Sequence, residues 1–250
     1  MTAKNLLATG IALLSLGLTA QATTYTGNGS TSFGNGGATG NGSLTLTDNG
    51  TTISGSLTTA GSLGGNVFVL YISTAAGGFS STSGFNDNGD QLRSALSQYG
   101  GVGQQSTLNF ASGFTAGYGI ALQPGSGINF GGLWQLANGG ANSQQFVSSV
   151  NLTPTGSDAA GTYTFSFNLS QIGLTPNSGQ SFGLYGIEVS QNGYSSAEIL
   201  GGTATGANGW GNVQSQATFS TYITTAPEPT SIALCTFGAA SLLALMRRRK

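Results

Sequence analysis

Short segments in which apolar and polar residues alternate recur through the middle of the chain. The clearest is TYTFSFNL (162–169), whose apolar members share one face of an extended strand: Tyr163, Phe165, Phe167 and Leu169. The segment SLTLTDNGTTISGSL (43–57) holds two shorter alternating runs around Asn49-Gly50. That dipeptide is typical of a two-residue hairpin turn in which both positions take a positive φ. The pattern predicts half-buried strands joined here by a hairpin.

Other segments predict further strands and one helix. NVFVLYI (66–72) is apolar on both faces, which is typical of a central strand covered on two sides. More strands are expected at YGIAL (118–122), LWQL (133–136), QFVSSVNL (145–152), SFGLYGIEVS (181–190) and ATFSTYI (217–223). DQLRSALSQYG (90–100) predicts a short helix with Asp90 as N-cap and Gly100 as its C-terminal stop.

The spacing of turn signals predicts the architecture. Strand-like segments follow one another at intervals of roughly 8–15 residues, as in β-sandwiches and barrels. We therefore expect an all-β sandwich with one short helix over residues 66–223. It should be preceded by Gly/Ser/Thr-rich N-terminal strands over residues 23–65.

Charge and composition exclude several classes of protein. Charged residues make up 5% of the chain, against a usual ~25%. Residues 23–225 contain one basic residue, Arg93, so they lack the clustered cations that nucleic-acid binding requires. The chain has no histidine, and its single cysteine is Cys235. These counts exclude a Ser-His-Asp triad, a Cys-His pair and any histidine metal site.

The first 22 residues have the pattern of a secretory signal peptide. Lys4 supplies the positive charge, Leu6 to Leu18 is apolar, and Ala20-Gln21-Ala22 is a small-x-small cleavage site. The mature chain is then expected to start near Thr23, exported by the Sec translocon and cut by signal peptidase. The alternative is a buried core helix.

The C-terminal segment, residues 224–250, predicts a transmembrane helix with a basic stop. Fifteen uncharged residues, Ile232 to Met246, are followed by Arg247, Arg248, Arg249 and Lys250. Basic residues after an apolar span stay in the cytoplasm, so the rest of the chain would be outside. The span is preceded by an extended proline pair: Pro227, Glu228 and Pro229.

These three parts in this order resemble the PEP-CTERM sorting signal of Gram-negative bacteria. The resemblance implies processing near Pro227-Glu228-Pro229 by an exosortase, after transient anchoring in the inner membrane. It also implies release to the cell surface or the extracellular matrix, where members are often associated with exopolysaccharide. The same tail is also named an ice-binding-protein C-terminal domain, a name that implies no ice activity here.

Two acidic groups are candidate sites. Glu188 and Glu198 flank a probable turn at 191–194, so a hairpin would bring them together, and paired carboxylates can hydrolyse glycosides. The alternative is two solvated surface charges. In NDNGD (86–90), Asp87 and Asp90 could hold calcium in a glycine-bent loop. The alternative is a helix cap beside a turn.

Aromatic residues in Gly-rich segments suggest a carbohydrate contact. Trp134, Trp210 and Tyr118 are the candidate ligand-binding residues, with Tyr185 and Tyr194 in similar surroundings. The alternative for Trp134 is a place in the core. The segments LYISTAAGGF, FTAGYGIAL, LWQL and YTFSFNLSQIGLTPNSGQSFGLYGIEVS, over 66–200, resemble family-nine carbohydrate-binding modules and the DOMON-like fold. That resemblance implies a jelly-roll or DOMON-like sandwich, and no sites.

The expected function is that of an exported, non-catalytic surface or matrix protein that binds polysaccharide and needs no cofactor. Two alternatives stay open. One is a glycoside hydrolase that uses Glu188 and Glu198. The other is a structural or ice-contacting surface, although the threonines show no sustained T-x-T register along the chain.

Overall fold

A computed structural model of the chain describes residues 22–74, 77–124, 130–136, 144–157 and 160–226, together with the single position 238. Most of the signal segment and nearly all of the sorting tail, including Ala20, Pro227 to Pro229 and Arg247 to Arg249, lie outside these residues. Within the described part, no helix is long and apolar enough to cross a membrane. The described residues between 22 and 226 belong to one compact unit.

The described residues form an all-β fold whose strands we number in chain order. The strands are β1 (Thr23–Thr26), β2 (Ser43–Asp48), β3 (Thr52–Thr58), β4 (Val67–Ser73), β5 (Tyr99–Gly101), β6 (Gln104–Gln105), β7 (Thr107–Asn109), β8 (Tyr118–Gln123), β9 (Phe130–Leu136), β10 (Gln144–Asn151), β11 (Thr153–Ser157), β12 (Ala160–Asn168), β13 (Ser181–Val189), β14 (Ser195–Leu200), β15 (Gly202–Gly206) and β16 (Val213–Ile223). One α-helix, α1 (Gln91–Ser97), and two 3₁₀ turns, Thr82–Gly84 and Leu169–Ile172, complete the set.

Two large sheets pack on each other as in a β-sandwich. The five-stranded sheet has the order β1-β2-β3-β12-β11. The nine-stranded sheet has the order β10-β9-β8-β4-β13-β16-β15, with β14 added beside β13 and β7 beside β16. Apolar side chains from both sheets meet in one cluster, among them Leu44, Leu57, Phe165, Leu70 and Leu184. Burial of this surface is the main force that holds the sheets together.

The other face of the nine-stranded sheet is also covered. Val69 and Tyr71 of β4 contact a second apolar cluster that includes Leu92 and Leu96 of α1. Val67 to Ile72 are therefore buried on both faces, as the absence of a polar face in NVFVLYI predicts.

Strand β12 shows how alternation sets the face. Tyr163, Phe165 and Phe167 are buried in the core between the sheets, while Thr164 and Ser166 are exposed. β12 pairs with β3 through seven residue pairs, from Thr162↔Thr58 to Asn168↔Thr52. The N-terminal strands of 23–65 therefore belong to the sandwich itself, because they build three of the five strands of one sheet.

Two local predictions need correction in detail. The hairpin between β2 and β3 forms, but its loop has three residues, 49–51, and only Gly50 has a positive φ, of 88°. The side chain of Asn49 accepts hydrogen bonds from the N–H groups of Thr51 and Thr52, which fixes this longer loop. The helix begins after Asp90 as predicted, but it ends at Ser97, before the predicted stop at Gly100, because its C-cap Gln98 has a left-handed φ of 52°.

Candidate functional site

Trp134 is part of the core and offers no open ring face. Only 2% of its surface is exposed, within the cluster between the nine-stranded sheet and α1. A Cβ on Gly132 would lie 2.5 Å from its indole, so the ring packs directly over that glycine. The expectation of a sugar platform at Trp134 is not met, because β9 directs this side chain toward α1.

Tyr118 lies on the opposite side of the same sheet. It is half-buried and packs against the core between the two sheets. Tyr185 is fully buried in the cluster that contains Trp134. These tyrosines and Trp134 therefore do not form a common site.

Trp210 is exposed and belongs to an aromatic group that the sequence indicated only in part. The loop between β15 and β16 presents Trp210, which is 43% exposed. Its ring meets Tyr194 edge-on with centroids 5.7 Å apart, and Tyr194 in turn contacts Phe33 at 5.5 Å. We call these three residues the aromatic row.

Glycine at position 209 allows the loop to approach this row closely. Gly209 has a φ of +104°, and a Cβ there would be 3.1 Å from the Tyr194 hydroxyl oxygen. The Gly209 N–H donates to the Ser195 hydroxyl at 3.4 Å. A side chain at 209 would strain the loop that positions Trp210.

Phe33 is positioned by the N-terminal loop, which we define as residues 27–42. Asn28 hydrogen-bonds β14 through its backbone N–H to the Ile199 carbonyl and through its side chain to the Ala197 carbonyl. The Ala197 N–H donates to the Ser32 hydroxyl at 2.8 Å. The loop thus covers the free edge of β14, which would otherwise expose unpaired backbone groups.

Glu188 and Glu198 lie in the interior behind the N-terminal loop. They belong to the β13–β14 hairpin, as the turn at 191–194 predicts, and the relative exposure of each is 0%. The alternative of two solvated surface charges is therefore wrong. Local patterns could not predict the burial, because the loop residues that bond Glu198 lie 158–165 positions earlier in the chain.

The surroundings of the two carboxyl groups differ. Glu198 accepts hydrogen bonds from the N–H groups of Phe33, Thr39 and Gly40, at 3.1–3.2 Å. Glu188 accepts one, from the Asn66 amide at 2.9 Å. The pKa of Glu188 is raised to about 8: burial is the largest cause, the Asn66 hydrogen bond lowers the pKa, and the charge of Glu198 raises it.

The candidate calcium residues are engaged by a cation of the protein. Arg93 binds Asp87 at 3.1 Å and Asp90 at 3.2 Å. Asp90 also caps α1 through the Arg93 N–H, and Asp87 accepts from the Gly89 N–H. The described residues contain no group of three or more Asp, Glu, His and Cys side chains placed to hold a metal ion. The arrangement matches the helix cap beside a turn.

The outer face of the five-stranded sheet is a continuous array of hydroxyl groups. The cross-strand registers align them in three rows: Thr24–Thr45–Ser56–Thr164–Thr153, Thr26–Ser43–Thr58–Thr162 and Thr47–Ser54–Ser166. We call this surface the hydroxyl face. Neighbouring hydroxyls bond at 2.8 Å between Thr24 and Thr45 and at 3.0 Å between Thr58 and Thr162.

The hydroxyl face carries no charged side chain in these rows and is indented. A groove of about 440 Å³ crosses it, lined by residues that include Ser54, Ser56, Thr164 and Asn151. No sustained T-x-T register runs along the chain, but threonine and serine residues of neighbouring strands lie opposite one another in the sheet. Single-strand alternation signalled the polar face of each strand, but only the pairing of β3 with β12 assembles the array.

The chain was compared with known proteins. No family model matches it. No curated protein matches it either.

Proposed function

We propose that this chain is an exported, non-catalytic protein of the cell surface or extracellular matrix that binds polysaccharide through the aromatic row. The observation that carries the proposal is the exposed Trp210 ring, supported from the side by Tyr194 and Phe33. Aromatic faces stack on apolar faces of sugar rings, and we expect each such contact to contribute about as much as an aromatic pair does, ~0.5–1.5 kcal/mol. A near absence of charge suits a neutral glycan.

Export is the second part of the proposal. The signal peptide implies the Sec translocon and signal peptidase as partners, and the PEP-CTERM resemblance of Pro227 to Pro229 and Arg247 to Arg249 implies an exosortase. β1 begins at Thr23, directly after the expected cleavage site at Ala22. The tail would be a label removed after transient anchoring in the inner membrane of a Gram-negative bacterium.

The non-catalytic part rests on the inaccessibility of the acid pair. A glycosidase needs two carboxyl groups that flank the scissile bond of a bound sugar. Glu188 and Glu198 are fully buried. Glu198 accepts hydrogen bonds from the N-terminal loop and Glu188 accepts one from Asn66, which leaves no room for a substrate between them. The glycosidase alternative would require that loop to leave β14.

A glycan array with the mature protein tests both parts of the proposal. Binding to one class of neutral polysaccharide, without release of reducing ends from that polysaccharide, is the expected result. Cleavage that Glu188→Gln or Glu198→Gln abolishes would establish the glycosidase alternative instead. An array with no bound glycan would contradict polysaccharide binding.

The hydroxyl face favours a second candidate function, a structural or ice-contacting surface. Its rows place hydroxyls about 4.8 Å apart across strands and about 6.8 Å apart along them, a regular repeat that would face an ordered surface. Thermal hysteresis of a solution of the protein, lost on Thr45→Lys, would support ice contact. Its absence would leave the aromatic row as the better candidate.

We also propose a specific type of β-sandwich for this chain. The order of strand segments over 66–200 supports a jelly-roll or DOMON-like sandwich related to family-nine carbohydrate-binding modules.

A further inference from the structure

We propose that Glu188 and Glu198 hold one proton between them in the interior, and that this proton fastens the N-terminal loop to β14. The proposal goes beyond polysaccharide binding and does not depend on it. It concerns how the protein responds to pH.

The first step is the role of Glu198 as an acceptor. Its carboxylate receives the N–H groups of Phe33, Thr39 and Gly40, three backbone donors from the same loop. Only glycine fits at position 40 of this loop, because a Cβ there would lie 2.0 Å from the Ser30 carbonyl oxygen. Both oxygens of Glu198 therefore accept hydrogen bonds, which leaves Glu188 as the member of the pair with an oxygen free to carry the proton.

The second step is the unpaired oxygen of Glu188. Its Oε1 accepts from Asn66, while its Oε2 is buried without a partner among the described residues. The buried hydroxyl of Thr39 is equally unpaired, although it lies close enough to affect the titration of Glu188. A buried polar atom without a hydrogen bond is costly. A proton on Oε2 converts this atom into a donor that can reach Glu198 or Thr39.

The third step is the absence of a compensating cation. Glu198 is the one charged group among the described residues that acts on Glu188. The N-terminal loop contributes N–H groups and Thr39, and the residue before β4 contributes the Asn66 amide. Two like charges in such a place cannot both ionise at little cost.

The direction of the pH effect follows from the raised pKa. Unfolded Glu188 titrates near 4.5 and folded Glu188 near 8, so the folded state binds one more proton between these values. The unfolding equilibrium constant should therefore increase about tenfold for each pH unit over this window, and the effect should level off above about pH 8. Ionisation above pH 8 places two negative charges behind the loop, which weakens its attachment and that of Phe33.

Chemical unfolding of the mature protein between pH 5 and 10 tests the proposal, together with Glu188→Gln. The amide cannot ionise and can still donate to Glu198, so the variant should lose the pH dependence of about tenfold per unit. Asp90→Asn is the control: it changes an exposed acid that caps α1 into another good N-cap, and should keep the wild-type slope.

A second measurement uses only the wild-type protein, so it tests the proposal even if the Glu188→Gln protein does not fold. The infrared spectrum of the folded wild-type protein should contain the band of a protonated carboxyl group at pH 7, and lose it by about pH 10. Hydrogen-exchange protection of Thr39 and Gly40 should decrease over the same range.

Several results would overturn the proposal. One is an absent carboxyl band at pH 7. Another is an unchanged pH slope in a folded Glu188→Gln protein. Stabilisation of the wild type by Ca²⁺ at pH 7 that the variant lacks would mean that the pair binds a metal cation in place of the proton.

Discussion

Replacement of Trp134 by alanine distinguishes a core residue from a sugar platform. A buried tryptophan removes about 150–250 Å² from water, which corresponds to ~4–6 kcal/mol at 25 cal/mol per Å². The Trp134 Nε1–H is buried without a partner among the described residues, so its removal returns ~1–3 kcal/mol. We therefore expect Trp134→Ala to lower the free energy of unfolding by about 3 kcal/mol, which lies at the lower end of measured tryptophan truncations.

Urea unfolding measures this loss, with Trp210→Ala as the matched control. Trp210 is 43% exposed and contacts Tyr194 at its edge, so its removal should cost about 1 kcal/mol or less. Trp134→Phe keeps most of the packing over Gly132 and removes the unpaired N–H, so it should cost less than Trp134→Ala. Equal and small losses for the two alanine variants would show that Trp134 is not a core residue.

Two further predictions concern other parts of the chain. Asp48→Asn should lower the free energy of unfolding in urea by about 2 kcal/mol. The buried Asp48 carboxylate accepts hydrogen bonds from Gly50, Tyr222 and Thr225, whereas an amide can accept on only one atom. A loss near zero would mean that these bonds do not stabilise the fold. Mass spectrometry of protein from its native cell surface should find no peptide from Ile232 to Lys250; recovery of the intact C-terminus would show that the tail is a permanent anchor.

The alternation of residues was sufficient to predict the longer strands, while the short strands β5, β6 and β7 and the strands β11 and β15 were not predicted. TYTFSFNL and NVFVLYI became β12 and β4 with the expected burial, because the side-chain period of a strand is two and leaves little choice of face. Asp90 caps α1, since its carboxylate accepts the Arg93 N–H. The helix ended early because Gln98 took the left-handed conformation expected of a glycine.

Local patterns could not predict which strands pair when they lie far apart in the sequence. β3 lies beside β12, about a hundred residues later, and only this pairing joins their polar faces into the hydroxyl face. Phe33 sits in a Gly-rich stretch with no strand pattern, so nothing local indicated that it contacts Tyr194. The spacing of Glu188 and Glu198 predicted their proximity, but their burial depends on a loop whose residue Thr39 lies 159 positions before Glu198.

The affinity of the mature protein for its best glycan on the array, compared between wild type and Trp210→Ala, tests the central claim most directly. Loss of one stacking contact of about 1 kcal/mol should weaken binding roughly fivefold. The midpoint of urea unfolding should change little, because the Trp210 side chain is partly exposed. Unchanged affinity in a folded Trp210→Ala protein would contradict polysaccharide binding through the aromatic row.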